Sequence, residues 1–146
     1  MAKSARTTVK EKSASMQWAG LGILAVIAIG AYVWWSVAPG SGGVQVAVKV
    51  PQLSAVGMAG QQVFEKNCAS CHGDNGSGTS KGPPLIHPIY EPNHHADGAI
   101  LRAITEGVRA HHWPYGDMPA QRQVGREESQ VVVGFLREVQ RANGIR

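Results

Sequence analysis

Cys68-Ala69-Ser70-Cys71-His72, followed at once by Gly73, decides the reading of this chain. It holds the only two cysteines and one of the six histidines among 146 residues. C-x-x-C-H is the pattern of covalent haem attachment. Two residues between the thiols let one turn of backbone present both sulfurs to one edge of a flat ring, and the next histidine aims its imidazole at the metal. The other uses of paired cysteines fit poorly. Two cysteines are too few for a disulfide framework, a structural zinc site wants about four Cys or His ligands, and a redox C-x-x-C belongs beside a βαβ pattern that this sequence lacks. The motif predicts one covalently attached haem c, with Cys68 and Cys71 as attachment points and His72 as an iron ligand.

Outward from the motif, charge is sparse at 16 % and glycine frequent at 18 residues, with 8 prolines, as in a loop-rich fold with an apolar segment. Lys3, Arg6, Lys10 and Lys12 against Glu11 give +3 near the N-terminus; the ten remaining Lys and Arg against nine Asp and Glu leave +1. The basic balance is therefore N-terminal, and a nucleic-acid-binding function finds no support.

No charged residue occurs from Ser13 to Val48. Its apolar centre, Trp18 to Val37, would span roughly 30 Å as a helix, with Trp18 at one end and Tyr32, Trp34 and Trp35 at the other, where aromatic side chains meet lipid headgroups. The sequence predicts a basic cytoplasmic segment over residues 1–16, a transmembrane anchor over 17–38, a linker over 39–54 and a haem domain over 55–146. The basic flank orients the haem domain outward, which places it on the periplasmic side of the inner membrane as a single-pass protein. A cleaved signal peptide is the alternative; its apolar region would be shorter, and Pro39 after Ser36-Val37-Ala38 suits cleavage poorly. Gly40-Ser41-Gly42-Gly43 reads as a flexible joint, and the alternating Val44–Val50 as extended linker.

Three helices are expected in the haem domain. Val56 to Asn67 delivers Cys68, with Gly60 and Phe64 on one face. Asp97 to Val108 carries the stripe Ile100, Leu101, Ile104 and Val108, with Gly107 as terminator. Arg126 to Gln140 turns Val131, Val132, Phe135, Leu136 and Val139 inward, with Arg137 and Arg141 late, where cations suit the dipole. Between the last two lies His111-His112-Trp113-Pro114-Tyr115-Gly116-Asp117-Met118-Pro119, too rich in Pro and Gly to be helical.

Ala59 to Gly73, then Gly82-Pro83-Pro84-Leu85, Ala103-Ile104-Thr105-Glu106-Gly107-Val108, Asp117-Met118-Pro119 and Val132-Val133-Gly134-Phe135-Leu136 resemble, in order, the blocks of class I monohaem c-type cytochromes. The resemblance covers roughly residues 55–142. It implies an all-α fold, a cytochrome c-like haem domain of three main helices, preceded here by the transmembrane helix and linker. It also implies His72 and Met118 as axial ligands, Pro83 accepting from the His72 Nδ1–H, Leu85 against the haem face, and Phe135 meeting Gly60 and Phe64 where the first and last helices cross. A thioether ligand favours ferrous iron.

Such a protein is an electron carrier, not an enzyme in its own right. Its partners would be redox proteins such as a quinol-oxidising complex, a terminal oxidase or a dehydrogenase. The alternatives are a non-catalytic haem subunit of a larger membrane oxidoreductase, and a haem protein with an additional histidine-based metal site. The departures from the family concentrate on histidine: His87, His94, His95, His111 and His112 are not required by the haem site. They pack and cap, or His111 or His112 displaces Met118, or His94/His95 and His111/His112 hold a second metal, copper or zinc. Since neighbouring histidines on a helix diverge, each pair is expected to give one ligand.

Overall fold

In the computed structural model of the chain, residues 23–34 and 43–146 are described. They belong to two compact units, Met1–Gly40 and Ser41–Arg146. In the first unit, residues 23–34 form helix α1, with Ile23, Leu24, Val26, Ile27 and Ile29 exposed. No helix among the described residues is long and apolar enough to cross a membrane. The expected anchor over 17–38 extends past α1 at both ends into residues outside the described set, and the expected basic segment over 1–16 lies wholly outside it.

Among the described residues the second unit carries four α-helices, α2 (Ala55–Asn67), the single turn α3 (Ala69–His72), α4 (Asp97–Glu106) and α5 (Arg126–Ala142), and two short 3-10 helices, Asp74–Gly76 and Pro88–Tyr90. No β-strand occurs among the described residues, only an isolated antiparallel bridge between Val108 and Met118. The all-α expectation for this part of the chain holds, with helix limits within two residues of those read from periodicity.

The core forms where α2 crosses α5. Phe64 and Phe135 are fully buried with ring centroids 5.5 Å apart and planes tilted by 52°, a pairing that adds about 1 kcal/mol to the burial itself. Gly60 makes the crossing possible: a Cβ there would lie 2.0 Å from the Val131 carbonyl oxygen and 2.8 Å from Phe135 Cβ. Val132, Leu136 and Val139 continue the apolar stripe of α5, and Ile86, Ile104 and Val124 close the core around it.

Helix ends follow local chemistry. Ser54 Oγ accepts from the Gly57 N–H at the start of α2. Gly107, at φ +81°, ends α4. At α5 the Gly125 N–H donates to Glu128, so the reaching carboxylate replaces the usual hydroxyl cap.

The described part of the expected linker, 43–54, has no regular secondary structure, and it is tied to the domain. The Val46 N–H donates to the Ser77 carbonyl and the Val44 N–H to the Tyr115 hydroxyl. Lys49 exchanges two hydrogen bonds with the Asn143 side chain, while Val46, Val48 and Leu53 pack against the core. Alternating valines without a partner strand here find one face of a helical domain instead.

Candidate functional site

The motif residues sit at the end of α2. Cys68 closes that helix, its N–H bonded to the Phe64 carbonyl, and α3 carries Ala69 to His72. Cys68 is half-buried and Cys71 exposed. Burial, and then Cys71, push the Cys68 thiol up to about 11. Gly73, Gly76 and Gly78 have positive φ, folding the chain back so that the Gly78 N–H reaches the His72 carbonyl and the Leu85 N–H the Gly76 carbonyl.

His72 is buried, and its Nδ1 lies 2.9 Å from the Pro83 carbonyl oxygen. A carbonyl only accepts, so Nδ1 carries the proton and the lone pair stays on Nε2. Burial, partly opposed by that hydrogen bond, holds the ring below its ordinary pKa. The result is a neutral, oriented imidazole, the form that binds a metal.

A cavity of about 650 Å³ opens beside it, lined by Cys68, His72, Pro83, Leu85 and Met118 and by apolar side chains of α4 and α5. Its volume falls in the range of cofactor pockets. Met118 is more firmly placed than a Pro/Gly-rich segment suggests: its N–H donates 2.9 Å to the Val108 carbonyl, and its own carbonyl accepts 2.9 Å from the Val108 N–H. Asp117 accepts from the Ala110 N–H, closing the loop 110–117 on itself. Gly107 permits this bridge, since a Cβ there would lie 2.5 Å from the Met118 carbonyl oxygen. One thiol, one neutral imidazole and one thioether thus border one cavity, with the second thiol, Cys71, exposed three residues on in α3, and this donor set fits haem c.

The same cavity takes in the histidines. His94, His95, His111 and His112 also line it and pack ring against ring, while His87 lies edge-on to Trp113 with centroids 5.1 Å apart and accepts from the Ile89 N–H. His94 and His95 lie in a turn, with both their N–H groups bonded to the Glu91 carbonyl. Both rings therefore reach the cluster, contrary to the expectation of one ligand per pair, which assumed helical divergence.

Arg137 was read from sequence as a dipole-compensating cation near a helix end. It is instead buried, donating from Nε to Asp97 (2.8 Å), from Nη1 to the Tyr90 carbonyl (2.8 Å) and Gln140 (2.6 Å), and from Nη2 to the His95 carbonyl. Gln140, also buried, donates to the Leu85 carbonyl at 3.0 Å. Together they hold the backbone from Leu85 to Asp97. A signal was present: Val133, Arg137 and Gln140 share one stripe of α5 at i, i+4 and i+7.

The profile of the family described as Cytochrome c matches residues 57–140. A curated relative, a thiosulfate dehydrogenase of Allochromatium vinosum, is 32 % identical over 84 residues, which cover 55 % of this chain and 30 % of that protein. The chain thus aligns with less than a third of the relative's length. No solved structure matches it.

Proposed function

We propose a function from one premise: the chain belongs to the cytochrome c family, and as such it binds haem c covalently and transfers electrons. On that premise it is a single-haem carrier of the class I type, with thioethers at Cys68 and Cys71 and axial ligation by His72 and Met118. Bound there, the haem iron supplies the reversible one-electron couple. The observation that carries the reading is one cavity bordered by Cys68, by His72 with Nε2 left free, and by Met118 tied at both backbone groups to Val108, with Cys71 three residues after Cys68.

The residues divide the work. The Pro83 carbonyl fixes the tautomer and orientation of the His72 ring. The soft sulfur of Met118 favours the lower oxidation state of iron. Phe64, Leu85, Ile104, Val132 and Leu136 line the cavity with apolar surface, which keeps water from the site and disfavours added charge. A reduction potential raised by these features suits a carrier that accepts electrons from a dehydrogenase or quinol-oxidising complex and passes them toward a terminal oxidase.

The uncharged stretch Ser13–Val48 and the exposed apolar side chains of α1 support a single-pass anchor in the inner membrane with the haem domain on the periplasmic side. The similarity to part of a thiosulfate dehydrogenase favours a second reading, in which the chain is a non-catalytic electron-transfer subunit of a larger oxidoreductase.

Spectra of the oxidised protein test the ligand pair. The absorption band characteristic of thioether-ligated ferric haem is expected in the wild type and lost in Met118→Ala; a bis-histidine spectrum in the wild type overturns the assignment. Purification in mild detergent separates carrier from subunit: a lone protein reducing several acceptors is the first, a fixed stoichiometric partner the second.

A further inference from the structure

Four imidazoles crowd together in the cavity lining, and the haem reading uses none of them. His94, His95 and His112 each offer a ring nitrogen, and these three atoms all lie within 4.8 Å of one another. The His94 and His112 Nε2 atoms are 3.4 Å apart. From metal–nitrogen bonds of about 2.0–2.1 Å, two ligands on a tetrahedral ion stand about 3.3–3.4 Å apart. An ordinary N–H hydrogen bond is shorter, with a mode of about 2.9–3.0 Å. The separation is thus that of two ligands sharing an ion.

The third ring is prepared in the same sense. His95 Nδ1 lies 2.7 Å from the Ile89 carbonyl oxygen, so the proton sits on Nδ1 and Nε2 is left as the free donor. Its backbone is held by the Arg137 guanidinium, which donates to the His95 and Tyr90 carbonyls. His112 comes from the other side, on the loop between Val108 and Met118, where His111 Nδ1 is engaged by the Arg109 carbonyl at 2.8 Å. Burial, opposed by the Ile89 hydrogen bond, and then the neighbouring rings lower the pKa of His95. Partial desolvation, followed by His111, His95 and His94, lowers that of His112.

We propose that His94, His95 and His112 form a second metal site, for one copper(II) or zinc(II) ion, distinct from the haem iron. Three imidazoles suit both ions, and copper binds the tighter of the two at a given nitrogen site. Because His94 and His112 are exposed, a fourth position is open to water or a further ligand. One ring turns about its side-chain bonds to bring the widest separation down to bonding distance. The ion joins the turn 91–95 to the loop that carries Met118, so its occupancy stiffens the wall of the haem cavity without replacing a haem ligand.

The test uses the intact haem-loaded protein, stripped of adventitious metal with a chelator. Zinc(II) titrated in a calorimeter is expected to bind with one-to-one stoichiometry, and copper(II) to give a paramagnetic resonance signal with nitrogen hyperfine structure. His94→Ala and His112→Ala should each weaken binding at least tenfold, with the haem spectrum unchanged; His87→Ala, which removes a histidine outside the cluster, should leave binding as in the wild type. Failure of the wild type to take up one equivalent overturns the site. So does uptake that survives both cluster substitutions, or a haem spectrum that changes its ligand signature when zinc is added, which would mean that a cluster histidine serves the iron. The haem spectrum of the metal-free protein reports the ligand pair separately, so the two readings fail independently.

Discussion

The two sides of the cavity are built by different means. On the side of Cys68 and His72, backbone hydrogen bonds link near neighbours: His72 to Cys68, Gly78 to His72, Leu85 to Gly76. On the side of His94 to Met118, the segment up to Asp97 is held from a distance, by an arginine 40 to 47 residues later in the chain. A locally closed turn keeps its shape wherever the chain places it, whereas a remotely braced segment keeps its shape only while the brace is in place. Each substitution below strains one side and leaves the other as reference.

The largest effect belongs to the first side. In His72→Ala, loss of the oriented imidazole is expected to stop accumulation of haem-loaded protein almost completely, as read by haem-stained gels against total protein. Next comes Arg137→Met, which leaves the Tyr90 and His95 carbonyls without their donor and should cost about 3 kcal/mol in denaturant unfolding of the holoprotein. The faster amide exchange should be confined to residues 85–97. The ion pair is the minor part of this, because the Asp97 side chain is 65 % exposed; Asp97→Asn should cost below about 1 kcal/mol. If the two substitutions cost the same, the carbonyl-bracing account is wrong.

Gly107→Ala comes third. Strain at φ +81° and the approach to the Met118 carbonyl should cost about 1–3 kcal/mol and weaken the thioether band, while the His72 side stays intact. Gly116 has φ +83° but open space around it, so Gly116→Ala should cost less and keep the band. The smallest effect concerns Glu138, whose pKa is held below 4.5 by the Ser54 hydroxyl and then the Ser54 N–H. A depressed carboxyl pKa adds stability above the unfolded value and loses it as pH falls through the folded one. Glu138→Gln should therefore lower stability slightly at neutral pH and flatten the acid limb of the stability curve below about 4.5; an unchanged acid limb would discount the Ser54 contact.

The same contrast explains what the residues alone revealed. Cys68–His72 and the glycines after it are local chemistry, and periodicity located α2, α4 and α5 because their apolar stripes repeat over many residues. The close approach at Gly60 was legible too, from its place one turn before Phe64, while Phe135 as the residue that meets it is what the family resemblance implies. The function of Arg137 was legible only in part: its stripe with Val133 and Gln140 points to burial, but only the fold brings the Tyr90 and His95 carbonyls to it. The convergence of His94 and His95 was not legible, since it depends on both their N–H groups meeting the Glu91 carbonyl in a turn that no motif announces. The Val108–Met118 bridge likewise needed two segments whose pairing no alternation announced.

The crossing of α2 with α5 also bears on the order of events as the protein is made. The helix that delivers the cysteines is packed by the last helix of the chain, so the core around Phe64 cannot close until residues up to about 140 have emerged. In the closed form, Cys68 is half-buried with its thiol held to about 11, a poorly nucleophilic and shielded sulfur. On the haem linkage proposed above, bond formation at Cys68 is therefore favoured before α5 docks, whereas Cys71 is exposed in the closed form as well. The late partner of α2 thus makes the two attachment positions unequal: closing the core covers Cys68 in part and leaves Cys71 open.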